Sequence, residues 1–414
     1  MTRLLVAEDV TRGHPDRLAD ALAETVVDRV VAADPSASAG VEVALHRHRV
    51  LLTGHLALGE AGAAEVLPAD RSPIALDDWV AGLAAEVLAA AGYSGAWDLP
   101  VHATADLDIE ETGPADQAGQ GFSCDQDVVV GYATPDADLG HLPLETVAAR
   151  AAVAALGRLV LDRPEVLGPD AKVLVVLRPD GPSAVLEALN LSVLHHPEVG
   201  YVDLYRTVVP DVAAALAEVP GVRVPDRVDA GWCTVNGAGP FVLAGPMGDG
   251  GLSGKKLVAD LYGPGVPIGG GALCGKDAYK TDRCGPLRAR QVAVRLARAT
   301  GEPATVWAGW FPGGTTPQFL WARLGDGREL DAAAVDRLVG LPDLSIRGTV
   351  EDLGLTSQRW VDLVGRGYVG GDHPWDRDVA VVDPPPADQT RPEPTGRLDG
   401  RSHEEVVGAD ERCR

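Results

Sequence analysis

The chain is poor in aromatic residues and in positive charge. Phe, Trp and Tyr make up 5% of its 414 residues, and 60 acidic residues outnumber 36 basic ones, for a formal net charge of -24. Such a surface repels nucleic acids and anionic membranes. We therefore predict no nucleic-acid and no membrane partner. We expect any phosphate-bearing ligand to bind in a local basic pocket or through metal ions.

Cysteine pairs and long apolar runs are also missing. The five cysteines include no CxxC pair, no apolar run reaches 18 residues, and no charged-then-apolar leader begins the chain. An odd cysteine count without a leader favours reduced thiols in the cytoplasm, and neither a zinc site nor a membrane span is indicated. The length allows two or three domains.

Glycine and lysine are concentrated in one segment, residues 245–284, which we call the cradle. Glycines let backbone N–H groups approach an anion closely, and the lysines at 255, 256, 276 and 280 can supply the positive charge that a triphosphate needs. The segment therefore predicts a polyphosphate site. The alternative is a pair of glycine turns whose lysines lie on a solvated face.

Residues 270–277 of the cradle, GGALCGKD, nearly match the phosphate-loop pattern GxxxxGK[ST]. Asp277 stands where that pattern needs a magnesium-binding hydroxyl, and no apolar strand clearly precedes the segment. A phosphate-loop nucleotidase is therefore disfavoured.

Apolar spacing predicts an alternation of helices and strands. A helix is expected to begin at Pro15, with His14 and Asp16 at its anion-favouring N-terminal end. Taken alone, His14 is better interpreted as a capping or packing residue. Further helices are predicted at 77–91, 143–162, 212–219, 287–299 and 332–339. Strands are predicted at 3–7, 41–56, 125–132, 172–178 and onward to about 210, 305–311 and 318–324. Residues 106–121 are predicted to form a mobile loop, and the Pro-rich residues after 376 a disordered tail.

Six segments resemble the signatures of S-adenosylmethionine synthetases, in the same order and at similar spacing. They are GHPDRLAD (13–20), DQDVVVGYAT (125–134), LRPD (177–180), GPMGDGGLSGKKLVADLYG (245–263), GGGALCGKDAYKTDR (269–283) and HPW (373–375). The resemblance implies an α/β (α+β) fold of three similar domains with pseudo-threefold symmetry. The expected boundaries are 1–105, 125–228 and 229–376, with an active-site loop at 106–124 and a tail at 377–414. It also implies a homodimer or homotetramer with active sites between subunits.

The reaction that this resemblance implies uses ATP, Mg²⁺ and K⁺. The sulfur of methionine, or of a methionine-like acceptor, attacks C5′ of ATP and releases triphosphate, which is then hydrolysed to pyrophosphate and phosphate. Fixed lysines and a metal suit this chemistry, because negative charge develops on the leaving group.

The resemblance also implies residue roles. The residues matched to catalysis at the leaving group are His14, Lys255, Lys276 and Lys280. Those matched to ATP binding are Asp125, Asp180, Phe241, Asp249 and Lys256. Those matched to metal sites are Asp16, Asp282 and Glu8 for magnesium and Glu42 for potassium. Those matched to the acceptor pocket are His55, Ala105, Asp108 and Pro182.

Three of these positions depart from the family pattern. Pro182 stands where a lysine usually follows LRPD by two residues, His55 replaces a glutamate, and Ala105 replaces a glutamine. The triphosphate half of the predicted site is thus intact, and the acceptor half is altered. Two alternatives follow: a paralogue that uses another nucleophile or water, and a weakly catalytic subunit that pairs with an active synthetase.

Overall fold

The computed structural model describes residues 3–111, 121–225 and 231–377. In chain order its strands are β1 (Leu5–Val10), β2 (Ser38–His46), β3 (Arg49–Leu58), β4 (His102–Glu111), β5 (Asp127–Ala133), β6 (Leu167–Asp180), β7 (Ser183–His195), β8 (Val222–Arg223), β9 (Cys233–Val235), β10 (Gly251–Leu252), β11 (Ala304–Trp310), β12 (Phe319–Leu324) and β13 (Glu329–Asp331). The helices are α1 (Pro15–Ala33), α2 (Glu60–Val66), α3 (Pro73–Ala90), α4 (Leu144–Asp162), α5 (Tyr201–Ala217), α6 (Leu257–Asp260), α7 (Thr281–Thr300), α8 (Ala332–Val339) and α9 (Ile346–Leu353).

The strands form three sheets. The β6 sheet has the order β1-β6-β7-β8, with β9 also paired to β7; the β2 sheet has the order β10-β2-β3-β4; the β11 sheet has the order β13-β12-β11-β5. One cluster of buried apolar side chains lies between the β6 sheet and helices α4 and α5. A larger cluster joins the β2 and β11 sheets to α1, α3 and α7. The mixed α/β class predicted from the sequence is confirmed.

Each sheet takes at least one strand from outside the contiguous segment that the sequence predicted for it, and the β6 sheet takes two, β1 and β9. Strand β1, from the N-terminal segment, pairs antiparallel with β6. Strand β5, from the start of the middle segment, pairs with β11, and β10, from the C-terminal segment, pairs with β2. The three units therefore exchange strands in a cycle. Contiguous boundaries do not describe them, because strand pairing between distant segments leaves no mark in local sequence.

Helix α1 forms as its sequence predicts. Pro15 occupies the first turn, where its missing N–H costs nothing, and Leu18, Leu22, Val26 and Val30 form one buried stripe. Among the described residues, no helix is long and apolar enough to cross a membrane.

Two predictions of local structure are wrong. Residues 106–111, expected in a loop, belong to β4, which pairs parallel with β3; the rest of the predicted loop up to residue 120 lies outside the described residues. Residues 201–210, expected in strands, begin α5, whose buried Leu204, Val208, Val212 and Leu216 recur every fourth residue. The β-branched residues of this segment suggested a strand, but the four-residue period matched the helix.

Three cysteines of the described chain, Cys233, Cys274 and Cys284, are free and buried.

Candidate active site

The N-terminus of α1 presents a buried histidine. The His14 ring caps the helix: its Nδ1 accepts the Asp16 backbone N–H at 3.1 Å, so Nε2 carries the proton of the neutral ring. Nε2 is buried and has no hydrogen-bond partner in the described chain. Burial, followed by the charges of Lys172 and Lys256, lowers the His14 pKa to about 3. His14 is therefore a neutral hydrogen-bond donor whose Nε2–H has no acceptor among the described residues.

The loop before His14 is fastened to β6. The Thr11 hydroxyl donates to the Pro169 carbonyl at 2.7 Å and accepts the Ala171 N–H at 2.9 Å. A Cβ on Gly13 would lie 2.4 Å from Pro169, so only glycine allows this close approach. The Tyr93 hydroxyl donates to the Gly13 carbonyl at 2.7 Å. These contacts fix the position of the His14 ring.

Asp16 joins α1 to the cradle. One carboxylate oxygen accepts the Leu252 N–H at 3.1 Å, and the other accepts a hydrogen bond from Lys256. Burial alone would raise the Asp16 pKa, but the hydrogen bonds from Lys256 and Leu252 outweigh it and lower that pKa. Lys255 is half exposed and its Nζ lies 3.7 Å from Asp16 Oδ1. Asp16 thus stays ionised in a buried position.

Two residues that sequence reasoning missed complete this cluster. Asp170, on β6, accepts the Gly245 N–H through Oδ2 at 2.7 Å, while its buried Oδ1 has no described partner. Burial raises the pKa of Asp170 to about 6, although Gly245 and the charge of Lys172 oppose the shift. The charges of Lys172 and Asp249 act on both His14 and Asp170. We call His14, Asp16, Asp170, Lys172 and Lys256 the first cluster.

Asp180 and Pro182 do not lie at this site. They occupy the exposed hairpin between β6 and β7, where Asp180 forms an ion pair with Arg223. Ten strand residues, about 30 Å, separate Asp180 from Asp170. The structure therefore does not bring Asp180, which was predicted to bind ATP, or Pro182, which was predicted for the acceptor pocket, together with the residues around His14 in one chain.

Strand β6 contains two Pro-Asp sequences, and the resemblance described above was based on the second. The first, Pro169-Asp170-Ala171-Lys172, carries the lysine two residues after its aspartate, as the family pattern requires. The lysine predicted to be missing is present as Lys172.

The scarcity of lysine in the chain is the sequence signal by which Lys172 could have been identified. Of the 36 lysines and arginines, five are lysines: Lys172, Lys255, Lys256, Lys276 and Lys280. Four lie in the cradle and the fifth acts on His14. A lysine ammonium is a compact point charge that arginine's planar fork does not reproduce, so the few lysines of an arginine-rich chain mark functional positions.

A second cluster lies where α7 begins. Lys276 Nζ is 2.5 Å from Asp282 Oδ2, and both side chains are about one-quarter exposed. A Cβ on Gly271 would lie 1.5 Å from Asp282 Oδ1, so the cradle backbone passes directly over this carboxylate. Lys280 precedes the helix and, among the described residues, makes no ion pair. Cations and helix N–H groups here favour an anion.

Asp127 belongs to the second cluster and was also missed. Its side chain is buried, it accepts a hydrogen bond from Thr281, and its Oδ2 has no described partner. Burial and then the charge of Asp282 raise the Asp127 pKa to about 6. Asp125 is exposed two residues earlier, and its carbonyl accepts the Ser123 hydroxyl at 2.6 Å.

Asp277, the residue at which the cradle departs from the phosphate-loop pattern, has a structural role. Its Oδ2 accepts the Ala39 N–H at 2.9 Å, and its own N–H donates to the Ala39 carbonyl at 2.9 Å. The Gly275 carbonyl accepts the Val41 N–H at 2.7 Å. Together these bonds attach the cradle to β2, which places Lys276 opposite Gly40.

The predicted acceptor residues His55 and Asp108 are neighbours. They lie opposite each other on β3 and β4, and His55 Nε2 is 3.7 Å from a Glu110 carboxylate oxygen. Ala105 lies three residues before Asp108 on β4. Its backbone N–H donates a hydrogen bond to the Asp77 carboxylate at 2.8 Å.

The structure gives three other predicted site residues no clear role. Glu8 and Glu42 are exposed on β1 and β2. The Phe241 carbonyl accepts the His195 backbone N–H at 3.1 Å, and the Phe241 N–H donates to the His195 ring Nε2 at 3.2 Å. In the described residues no group of three or more His, Cys, Asp or Glu side chains could hold a metal ion.

The two clusters are separate within one chain. Leu252, which binds Asp16, pairs with Ala44 of β2, whereas Lys276 lies opposite Gly40. Four residues of β2, about 13 Å, lie between them. The first cluster sits between the β6 and β2 sheets, and the second between the β2 and β11 sheets.

The three sheets and the two charged clusters define an α/β protein with an anion site built from lysines and carboxylates. An S-adenosylmethionine synthetase N-terminal domain model matches residues 2–74, and the C-terminal domain model of the same family matches residues 243–377. An S-adenosylmethionine synthase of Mycobacterium ulcerans is 30% identical, over 92% of this chain and 98% of its own. One from a Methylobacterium species is 32% identical, over 89% and 92%. An unusual S-adenosylmethionine synthetase from Campylobacter jejuni has the same fold, with a TM-score of 0.76 at 23% identity over 91% of this chain and 97% of that one. The chain belongs to the S-adenosylmethionine synthetase family.

Proposed function

We propose that the protein is an ATP-dependent adenosyltransferase that joins the adenosyl group of ATP to the sulfur of methionine or a methionine-like acceptor. One observation carries this proposal. Two buried polar atoms of the first cluster, the His14 Nε2 donor and the Asp170 Oδ1 acceptor, have no partner in the described chain. Buried polar groups are normally paired, so unpaired ones at a cationic site indicate a ligand.

The charges suit a triphosphate leaving group. In this proposal the neutral His14 donates to the oxygen that leaves C5′, and Lys172 and Lys256 neutralise the nearest phosphates. Because the His14 pKa is depressed, the ring remains a neutral donor at every physiological pH. Lys276 and Lys280 hold the far end of the chain of phosphates, whose hydrolysis with one water gives pyrophosphate and phosphate.

We further propose that two subunits build each site. The separation of the clusters along β2 supports this, because one chain does not bring them together. Each sheet also exposes apolar side chains at alternate positions, for example Val6, Leu51 and Val128. Such faces suit a homodimer, or a homotetramer made of such dimers, in which the first cluster of one subunit meets the second cluster of its partner.

The carboxylates fit Mg²⁺ in chemistry though not as a complete cage. Asp16 and Asp282 offer hard oxygen ligands, and magnesium commonly binds through one or two carboxylates plus phosphate oxygens and water. Bound magnesium would stabilise the negative charge of the triphosphate. Glu42 is our candidate for K⁺.

An altered acceptor is a second candidate, and His55 favours it. The imidazole lies between Asp108 and Glu110 where the family has a carboxylate, so the ionic contacts for an amino group differ. The presence of Lys172 removes one departure that had suggested a weakened site. The remaining departures, His55 and Ala105, concern the acceptor alone.

The test is product analysis. The purified chain is incubated with ATP, Mg²⁺, K⁺ and methionine, and adenosyl products are identified by mass spectrometry alongside the phosphates. We expect a sulfonium product with equal amounts of pyrophosphate and phosphate. A non-sulfonium adenosyl product, or adenosine, would support the altered acceptor, and intact ATP with every acceptor would refute an adenosyltransferase.

Replacing Lys276 by Met should reduce turnover by about 100-fold or more, because a cation at the leaving group is lost. The matched control is Arg328→Gln, which removes a cation from an exposed turn where it pairs with Asp326. Equal activities in the two variants would contradict the assignment of Lys276.

A further inference from the structure

A cavity of about 540 Å³ lies against α1, apart from both clusters. Its walls are one face of α1, the last turn of α3 and the segment 359–364. Half of the lining residues are alanines and valines, among them Ala21, Ala32, Val87, Ala90, Val361 and Val364, and the other half are polar or charged. This volume is in the range of sites that hold small molecules. None of the described residues that line it is aromatic, so the apolar part of the walls suits an aliphatic ligand.

One cation at the cavity is held in place without a carboxylate partner. Arg12 donates from Nε to the Val364 carbonyl at 3.1 Å and from Nη2 to the Asp362 carbonyl at 3.2 Å. Both acceptors are neutral. A Cβ on Gly365 would lie 2.9 Å from Arg12 Cγ, so this glycine makes room for the side chain. The guanidinium is therefore fixed in orientation before any ligand binds.

The free edge of that guanidinium is the one that binds anions. Nε and one Nη2 hydrogen are used by the carbonyls, which leaves the end-on pair of N–H groups on Nη1 and Nη2. A carboxylate accepts such a pair of parallel hydrogen bonds. In the described chain, no carboxylate lies within ion-pair distance of Arg12.

The other arginines at the cavity are already paired. Arg29 forms an ion pair with Glu86, and Arg359 lies 3.6 Å from Asp362. The carboxylate of Asp28 accepts the Trp360 and Val361 N–H groups at 2.9 and 3.0 Å, which ties down the segment that forms one wall. Arg12 is the lining arginine that makes no ion pair among the described residues, and the charges of Arg366 and Asp362 act on it in opposite directions.

We propose that this cavity binds a small aliphatic carboxylate. The ligand's carboxylate pairs with the end-on N–H groups of Arg12, and its chain packs against the alanine and valine methyl groups. A single unpaired guanidinium matches a single negative charge, whereas a polyphosphate would bring excess charge beside Glu86 and Asp362. This site does not depend on the proposed reaction.

The experiment uses isothermal titration of the full chain with three probes. Hexanoate carries both features, acetate carries the anion alone, and 1-hexanol carries the chain alone. We expect saturable binding of one hexanoate per chain, at least about tenfold tighter than either other probe, because burial of methylene groups and pairing of the carboxylate both contribute. Failure of hexanoate to saturate would overturn the proposal.

Two variants locate the site. Arg12→Gln should weaken hexanoate to the level of hexanol and leave hexanol unchanged. Ala32→Trp, at an exposed position of α1 that folding tolerates, should obstruct the cavity and weaken both by about tenfold. Arg328→Gln is the matched control and should bind like the unaltered chain. Hexanoate binding that survives Ala32→Trp would refute this location, even if Arg12→Gln proved too unstable to titrate.

Discussion

The two ends of β6 carry the same dipeptide in opposite surroundings. At the first end, Pro169 packs on Gly13, Asp170 is buried against the cradle, and Lys172 acts on His14. At the other end, Asp180 is half exposed in a hairpin with Pro182. The comparison teaches that a short motif identifies a site only together with the segments that fold onto it. Pro169-Asp170 meets the loop before α1 and the start of the cradle, whereas Pro179-Asp180 meets solvent.

The largest difference between the two ends should appear when charge is removed. Lys172→Met should lower turnover by about 100-fold, because in the proposed mechanism the phosphates next to C5′ lose the cation that neutralises them. Steady-state kinetics with ATP and acceptor measure this, with circular dichroism to verify folding. If turnover stays within about threefold of that of the unaltered chain, the first end of β6 has only a structural role, and the prediction is contradicted.

A smaller difference should appear in the pH dependence of stability. The pKa of Asp170 is raised from 3.8 to about 6, so the folded chain binds more protons than the unfolded chain between those values, and stability falls as pH rises through that window. Asp170→Asn keeps an acceptor for the Gly245 N–H and removes the titration. We expect it to lose less stability between pH 4 and 7 than the unaltered chain, by up to roughly 3 kcal/mol.

Urea unfolding at several pH values measures that difference. Asp180→Asn is the control, because an exposed ion pair contributes at most about 1 kcal/mol. Parallel pH profiles for Asp170→Asn and the unaltered chain would show that Asp170 is not held in a buried, charge-disfavouring position.

The smallest effect is expected at Pro182. If Lys172 is the family's lysine, Pro182→Lys adds a cation to an exposed hairpin about 30 Å from Asp170 and should leave turnover within about twofold. The kinetic assay used for Lys172→Met measures this as well. A gain in turnover of tenfold or more would contradict this expectation and would indicate that Pro179-Asp180, the second Pro-Asp of β6, is the functional one.

Much of the local structure could be predicted from the sequence. The α1 stripe and its Pro15 start are periodic signals, and α8 was predicted at its observed bounds. Where β-branched residues and helical spacing coincided, as in α5, composition misled because it ignores period. The density of glycine and lysine in the cradle singled out Lys256, Lys276 and Asp282, which the fold places in two carboxylate-lysine pairs.

Other residues of the site could not be assigned in this way. Asp170 and Lys172 lie in an ordinary strand, and Asp127 follows two other polar residues. Asp170 is hydrogen-bonded in a buried position to Gly245, Asp127 is hydrogen-bonded to Thr281, and the charge of the exposed Lys172 acts on His14. These interactions join positions that are tens to hundreds of residues apart in the chain. The sequence shows which side chains are present, but it does not show which buried polar atoms have no hydrogen-bond partner.

By itself the sequence determined the family resemblance, the α/β class that this resemblance implies, and the short spacing of glycines and lysines in the cradle, because these depend on local period and on residue types close together in the chain. Only the tertiary structure decided which Pro-Asp belongs to the site, how the sheets exchange strands, and that the lysines form two clusters. Those outcomes depend on pairing between segments far apart in the chain. Strand register and burial, which set them, are properties of the whole fold.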